Sequence, residues 1–97
     1  MASNRKLTAV IRGRTVTRVE SRGTTALVTF DDGSNMTVRV VPGWSPPAVT
    51  GRVVKARQEE TRLQLDLDGG RTLELAIAEP TASVLLRGPD GVLQYAD

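Results

Sequence analysis

One pattern occurs twice in this chain of 97 residues, and it limits the possible folds more than any other feature. Each copy has a Gly-Arg start, a polar stretch, a hydrophobic run, a short Asp/Gly turn and a second hydrophobic run. The copies cover residues 13–40 and 51–77. Because internal repetition identifies the unit from which a fold is built, the pattern predicts two duplicated three-stranded meanders.

The turn inside each copy predicts which side chains share a face of the sheet. Asp31–Gly33 and Asp68–Gly70 both have the composition of a three-residue hairpin loop that ends on a glycine with positive φ. With these loops, apolar residues lie opposite apolar residues on one face, as a half-buried sheet requires. The predicted opposite pairs are Ala26 and Val38, Val28 and Met36, Leu63 and Leu75, and Leu65 and Leu73.

A third hairpin is predicted at the C-terminus, over residues 83–95. Its turn, Gly88–Gly91, has proline at the second position and glycine at the fourth, which is typical of a type I turn. If the two central residues form the loop, Leu86 lies opposite Leu93. The same register places Val84 opposite Tyr95.

Other segments predict little regular structure. Residues 1–6 are polar and predict a disordered N-terminal tail. Leu7–Arg12 predicts an extended segment, and no long helix is expected anywhere. Residues 41–50 contain three prolines and predict an irregular loop, because proline cannot donate to a sheet ladder. Ala78–Thr81 predicts a further connection.

About eight short strands with frequent turn signals predict an all-β fold, a small barrel or sandwich. A single domain over residues 7–97, SH3-like in its meander character, would relate the two copies by a pseudo-two-fold axis. Closure into a barrel is favoured because it removes exposed edges. The alternative is an open sheet that dimerises through an edge.

Composition argues against an enzyme. The chain has no histidine and no cysteine, so it lacks the commonest general base, the commonest metal ligand and any disulfide. The acidic residues are explained by turns and by a solvated strand face, and we expect no catalytic residue, no metal and no cofactor. No apolar run reaches the roughly 20 residues of a membrane span, and a cytoplasmic location is predicted.

A protein-binding module is the favoured function. Trp44 lies in the proline-rich loop with Pro46 and Pro47, and tryptophan is enriched at interaction hot spots. These three residues are therefore the predicted contact with an unknown protein partner or a second copy. A sheet edge such as Val92–Tyr95 is a second possible contact. The alternative role for Trp44 is a lid that covers one end of the core.

Nucleic-acid binding is the alternative function. Thirteen lysines and arginines against eleven aspartates and glutamates give a net charge of only +2. Nearly all of the cations are arginines, which suit phosphate recognition. The predicted strands that begin the two copies would carry a basic stripe. Its residues are Arg12, Arg14, Arg18, Arg52, Lys55 and Arg57. Nearby glutamates weaken the stripe, and aromatic residues for base stacking are scarce.

Overall fold

The computed structural model describes residues 2–79 and 83–97. One helix, α1, spans Arg5–Ile11 in these ranges, and a single 3-10 turn spans Asp68–Gly70. The strands are β1 Ala2–Ser3, β2 Thr15–Arg22, β3 Thr25–Phe30, β4 Asn35–Arg39, β5 Gly51–Glu59, β6 Arg62–Leu67, β7 Thr72–Ala76, β8 Val84–Arg87 and β9 Leu93–Ala96. Met1 of the predicted tail and residues 80–81 of the predicted connection lie outside the described residues.

Eight strands form one antiparallel sheet, and the predicted all-β class is confirmed. Their order across the sheet is β7-β6-β5-β2-β3-β4-β8-β9, and β1 pairs separately with β5. Two meanders, β2-β3-β4 and β5-β6-β7, therefore lie side by side, joined through β2 and β5. The C-terminal hairpin β8-β9 extends the sheet beyond β4.

The predicted registers of the first two hairpins are confirmed. The sheet aligns Val28 with Met36 and Leu65 with Leu73, as the loop lengths required. Inward-facing residues of both hairpins are fully buried and form most of the core. The last loop residue has positive φ in both, +88° at Gly33 and +79° at Gly70, a conformation that glycine adopts without the steric cost of a side chain.

The predicted register of the third hairpin is wrong. Leu86 pairs with Tyr95, not with Leu93, and Leu93 lies opposite Arg87. The backbone N–H of Gly88 donates to the carbonyl of Val92 at 2.9 Å, so the loop between them has three residues. The predicted loop had two residues, Pro89 and Asp90, whereas the observed loop also includes Gly91. Like Gly33 and Gly70, Gly91 ends its loop with positive φ.

The N-terminal segment also departs from the prediction, because Leu7–Arg12 is mostly helical where an extended segment was expected. Asn4 is the N-cap of α1, and its side-chain oxygen accepts a hydrogen bond from the backbone N–H of Leu7 at 3.0 Å. Leu7 and Ile11 are one helical turn apart and both are fully buried. Residues 2–6, the expected tail, form β1, the cap and the start of α1.

α1 packs where β5 has lost its neighbouring strand. On that side β2 pairs with β5 only at the start of both strands and β1 pairs only with Arg57 and Gln58, so the Ala56 backbone between them has no strand partner there. The Thr8 hydroxyl accepts from the Ala56 N–H at 2.9 Å and donates to the Ala56 carbonyl at 3.2 Å. The Asn4 N–H donates to the same carbonyl at 2.9 Å. The start of the helix thus replaces a strand and satisfies backbone groups that would be costly to bury unpaired.

Contacts between the two meanders recur at a constant spacing. Thr15 pairs with Arg52 and Val40 bridges to Ile77, and each pair joins residues 37 positions apart. The bridge is flanked by hydrogen bonds from the Val41 N–H to the Ala76 carbonyl and from the Ala78 N–H to the Arg39 carbonyl, both 2.9 Å.

The same spacing of 37 residues relates a hydrogen bond in one meander to a hydrogen bond in the other. The backbone N–H of Thr15 donates to the Asp31 carboxylate at 3.2 Å, and that of Arg52 donates to the Asp68 carboxylate at 3.1 Å. The contacts therefore align Gly51 with Arg14, whereas the Gly-Arg pattern had matched Gly51 with Gly13.

Replacing Thr8 tests how much the helix depends on its contact with Ala56. Thr8→Val keeps the shape of the side chain but leaves the buried Ala56 N–H without its acceptor, and we expect it to lower the unfolding free energy by about 1 to 3 kcal/mol. Thr8→Ser, which keeps the hydroxyl, is the matched control. Urea denaturation measures both, and a Thr8→Val variant as stable as Thr8→Ser would contradict this role.

Candidate nucleic-acid interface

Carboxylates neutralise half of the basic stripe that the sequence predicted. These ion pairs are Arg14 with Asp32 at 3.5 Å, Arg18 with Glu20 at 3.0 Å, and Arg57 with Asp66 at 2.7 Å. Paired cations present a weaker field to a ligand than unpaired ones. These three arginines are poor candidates for phosphate contacts.

Arg14 shows how firmly one of these cations is held. Its Nη2 donates to the Gln94 side-chain oxygen at 2.7 Å, and its guanidinium approaches Asp32. Hydrogen bonds from the Ser34 hydroxyl and N–H lower the pKa of Asp32 most. Burial raises the pKa by less than these bonds lower it, and the nearby Arg14 charge adds a still smaller lowering. Asp32 is therefore ionised at neutral pH and remains a partner for Arg14.

The other half of the stripe remains available. Arg12, Arg52 and Lys55 are exposed, and none has a carboxylate within ion-pair distance among the described residues. Arg5, which the sequence did not suggest, joins them. Two adjoining shallow depressions connect all four, because Arg12 and Val54 line both. We call Arg5, Arg12, Arg52 and Lys55 the basic patch.

α1 contributes one side of the basic patch. Arg5 is the first residue of α1, and Arg12 is the C-cap residue that follows Ile11. They stand seven positions apart, close to two helical turns, so both line the same depression. Thr8 and Ala9 lie between them and line the same depression. The buried residues of α1 point to the other side, into the core.

A β-bulge in β5 contributes the other side. The register of β5 against β6 shifts between Val53 and Lys55, and Val54 and Lys55 are exposed consecutively between buried Val53 and Ala56. Regular alternation would have turned Lys55 into the core. The bulge redirects its side chain outward, toward α1.

Sequence reasoning missed Arg5 because its segment was expected to be a disordered tail. The signal that could have revealed it is Asn4, a favourable N-cap, followed by Leu7 and Ile11 at helical spacing. The predicted basic stripe included Arg14, Arg18 and Arg57, because the sequence alone does not show which carboxylates pair with these arginines in the folded sheet.

The Trp44 side chain packs against the protein, and its indole N–H is hydrogen-bonded. Its indole Nε1 donates to the Glu74 carbonyl at 3.3 Å, on the outer edge of β7, and its ring packs partly against the core. Pro46 is exposed and Pro47 is half-buried. These contacts favour the lid interpretation of Trp44, and the partner contact through Trp44, Pro46 and Pro47 stays a prediction.

The C-terminal hairpin exposes apolar side chains. Leu85, Val92 and Leu93 are 41%, 59% and 47% exposed, and the other exposed large apolar residues described are Val41 and Val54.

Among the described residues, no three side chains that could bind a metal ion lie together. Within those same ranges, no helix is both long and apolar enough to cross a membrane.

Comparison with known proteins adds no family to this description. No family model matches the chain, and neither a curated protein nor a solved structure matches it significantly. The functional argument therefore depends on the residues and their geometry.

Truncating Trp44 distinguishes a lid from a partner contact. Because the indole is partly buried and bonded to Glu74, we expect Trp44→Ala to lower the unfolding free energy by about 2 kcal/mol, less than a fully buried aromatic would cost. Trp44→Phe keeps most of the ring and should lose less. Urea denaturation followed by circular dichroism measures both, and an unchanged Trp44→Ala midpoint would support the partner contact instead.

Proposed function

We propose that this protein is a non-enzymatic module that binds nucleic acid through the basic patch. One observation carries the proposal: Arg5, Arg12, Arg52 and Lys55 line one surface, and none of them has a carboxylate partner among the described residues. In the described part of the chain, six other arginines are held in ion pairs. Lys6, Arg39 and Arg87 also form no ion pair with a described residue, but they line neither depression. The clustering of unpaired cations, more than the net charge, distinguishes this surface.

The chemistry of the patch suits a phosphate backbone. Three of its four members are arginines, whose planar guanidinium binds phosphate oxygens in bidentate fashion. Arg5, Arg12, Arg52 and Lys55 are all exposed, so a ligand can reach them without any rearrangement of the fold. Neutralised phosphates release condensed counterions, and this release supplies most of the free energy of non-specific nucleic-acid binding.

The patch is a better candidate than the proline-rich loop. The Trp44 indole already has a hydrogen-bond acceptor and a surface to pack on within its own chain. A hot-spot tryptophan would have to give up these contacts, or use only its remaining exposed edge. The side chains of the patch make no such competing ion pairs.

We also propose that the two meanders are duplicated units related by a pseudo-two-fold axis, which enclose the core as a small SH3-like barrel. The support is the constant spacing of 37 residues at both junctions, Thr15 with Arg52 and Val40 with Ile77. An antiparallel pair of equivalent residues is the arrangement that such an axis produces. Cytoplasmic location stays part of this proposal, as the place where nucleic acid would be met.

Matched charge removals test the nucleic-acid proposal. Arg12→Gln/Arg52→Gln removes two members of the patch, and Arg18→Gln/Arg22→Gln removes two exposed arginines that pair with Glu20. Both variants lose the same net charge. We expect only the first to weaken binding of a DNA duplex at about 50 mM salt, by at least tenfold, because each lost phosphate contact lowers the salt slope by about 0.9.

Fluorescence anisotropy with a labelled duplex measures the affinity. Equal weakening by both variants would contradict the patch, because net charge alone would then explain the binding. Absence of any salt-dependent binding by the unmodified protein would contradict the proposed function. Circular dichroism of each variant controls for folding.

Self-association is a second candidate function, and the exposed apolar side chains of the C-terminal hairpin favour it. Three of the five exposed large apolar residues described lie on this hairpin, at one end of the sheet. β9 has a sheet neighbour on only one side, and an edge strand offers unpaired backbone groups to a second copy.

Leu93→Asp tests this second candidate, with Val54→Asp as the control because both side chains are 47% exposed. If the hairpin associates, light scattering at high micromolar concentration should give a mass near twice 10.4 kDa, and only Leu93→Asp should restore the monomer. A monomeric unmodified protein would contradict self-association.

A further inference from the structure

We infer that Val54 is a ligand contact of the basic patch, and that the patch favours an anion whose phosphates are separated by carbon atoms, as they are in nucleic acid. The inference rests on the proposed function and names the ligand chemistry that this surface recognises besides charge. Inorganic polyphosphate, which has no carbon between its phosphates, is a polyanion that lacks this chemistry.

Val54 lies between two groups of cations. Arg5, Arg12 and Lys55 line the depression beside α1, and Arg12 and Arg52 line the adjoining one. Val54 lines both depressions. A ligand with one anionic group near Arg5 and another near Arg52 therefore has to cover the Val54 side chain.

The surface that such a ligand covers is apolar. Val54 is 47% exposed, and Ala9 lines the first depression beside it. Thr8 has the one uncharged polar side chain among the described lining residues, and its hydroxyl is already bonded to both backbone groups of Ala56. A ligand therefore meets cations for its anionic groups and carbon atoms between those cations.

Covering Val54 favours one class of anion over another. Phosphate oxygens placed against a valine side chain lose water and gain no hydrogen bond there, which is unfavourable. Sugar carbons placed against the same side chain remove apolar surface from water on both partners, which is favourable. In a nucleic acid a sugar lies between successive phosphates, so the phosphates can occupy the two depressions while the sugar covers Val54.

A bulge in β2 provides an internal comparison. The register of β2 against β3 shifts across Thr17, as that of β5 against β6 shifts across Val54, 37 positions later. Thr17 is also exposed, but its hydroxyl donates to the Thr29 carbonyl at 3.3 Å. The cation after Thr17 is Arg18, which is paired with Glu20. An exposed apolar residue followed by an unpaired cation therefore occurs at the bulge in the basic patch and not at the bulge in β2.

Val54→Thr tests the inference, because it replaces one methyl group by a hydroxyl and keeps the shape and the charge. Fluorescence anisotropy of the intact protein with the labelled duplex measures the affinity. We expect Val54→Thr to bind about fourfold more weakly, the loss expected for one buried methyl group. The loss should be equal at all salt concentrations between about 50 and 200 mM, because no phosphate contact is removed.

Two further variants control for the position and for the hydroxyl. Val41→Thr makes the same change at an exposed valine that lines neither depression, and it should bind like the unmodified protein. Val54→Ala removes apolar surface without adding a polar group, and it should also weaken duplex binding at every salt concentration. Arg12→Gln/Arg52→Gln, by contrast, should reduce the salt slope by about 1.8. Circular dichroism of each variant controls for folding.

Inorganic polyphosphate, used as an unlabelled competitor of the labelled duplex, tests the preference directly. Its inhibition constant should be the same for Val54→Thr and for the unmodified protein, because it has no carbon atoms to place against Val54. The inhibition constant of the unlabelled duplex should rise about fourfold in Val54→Thr, as its affinity falls.

The outcomes separate the inference from the function on which it rests. Equal duplex affinity of Val54→Thr, Val54→Ala and the unmodified protein would overturn the inference and leave nucleic-acid binding intact. A loss of polyphosphate affinity as large as the loss of duplex affinity would also overturn it, because Val54 would then not distinguish the two anions. Failure of the unmodified protein to bind the duplex would overturn the proposed function as well.

Discussion

Two short antiparallel junctions join the meanders, and the rest of the structure depends on them. Thr15 pairs with Arg52 at one, and Val40 with Ile77 at the other. Because β2 and β5 separate after the first junction, the middle of β5 needs another partner for its backbone. The α1 segment supplies that partner through Thr8, and in doing so it brings Arg5 and Arg12 next to β5. The position of the candidate site is thus a consequence of how the two halves of the sheet meet.

The bulge in β5 has two effects that cannot be separated. It bends a long strand around the core, as bulges generally do, and it places Lys55 on the surface beside Val54. A bulge in β2 leaves Thr17 and Arg18 exposed, but there Arg18 forms an ion pair with Glu20. Similar backbones therefore present different electrostatic surfaces, because Arg18 forms an ion pair with Glu20, whereas Asp66, which lies opposite Lys55 in the register, is paired with Arg57.

The two internal hairpins were predictable because their information is local. Alternating apolar residues and a loop that ends on Gly33 or Gly70 determine a register together. α1 was missed because in seven residues Leu7 and Ile11 fit strand alternation as well as helical spacing. The basic patch could be predicted only in part: Arg12, Arg52 and Lys55 were identified, but Arg5 depends on α1. The ion pairs that remove Arg14, Arg18 and Arg57 depend on register, bulges and turn geometry together.

The N-cap of α1 has a thermodynamic consequence for this surface. Asn4 holds the start of a seven-residue helix, too short to be stable by itself in water. Undocking of α1 would separate Arg5 and Arg12 from Arg52 and Lys55, and it would expose Leu7 and Ile11 of the core. Any ligand that needs all four cations binds only the docked form and so protects the amide hydrogens of α1 from solvent exchange. Recognition and the local order of the N-terminal segment therefore share a single equilibrium.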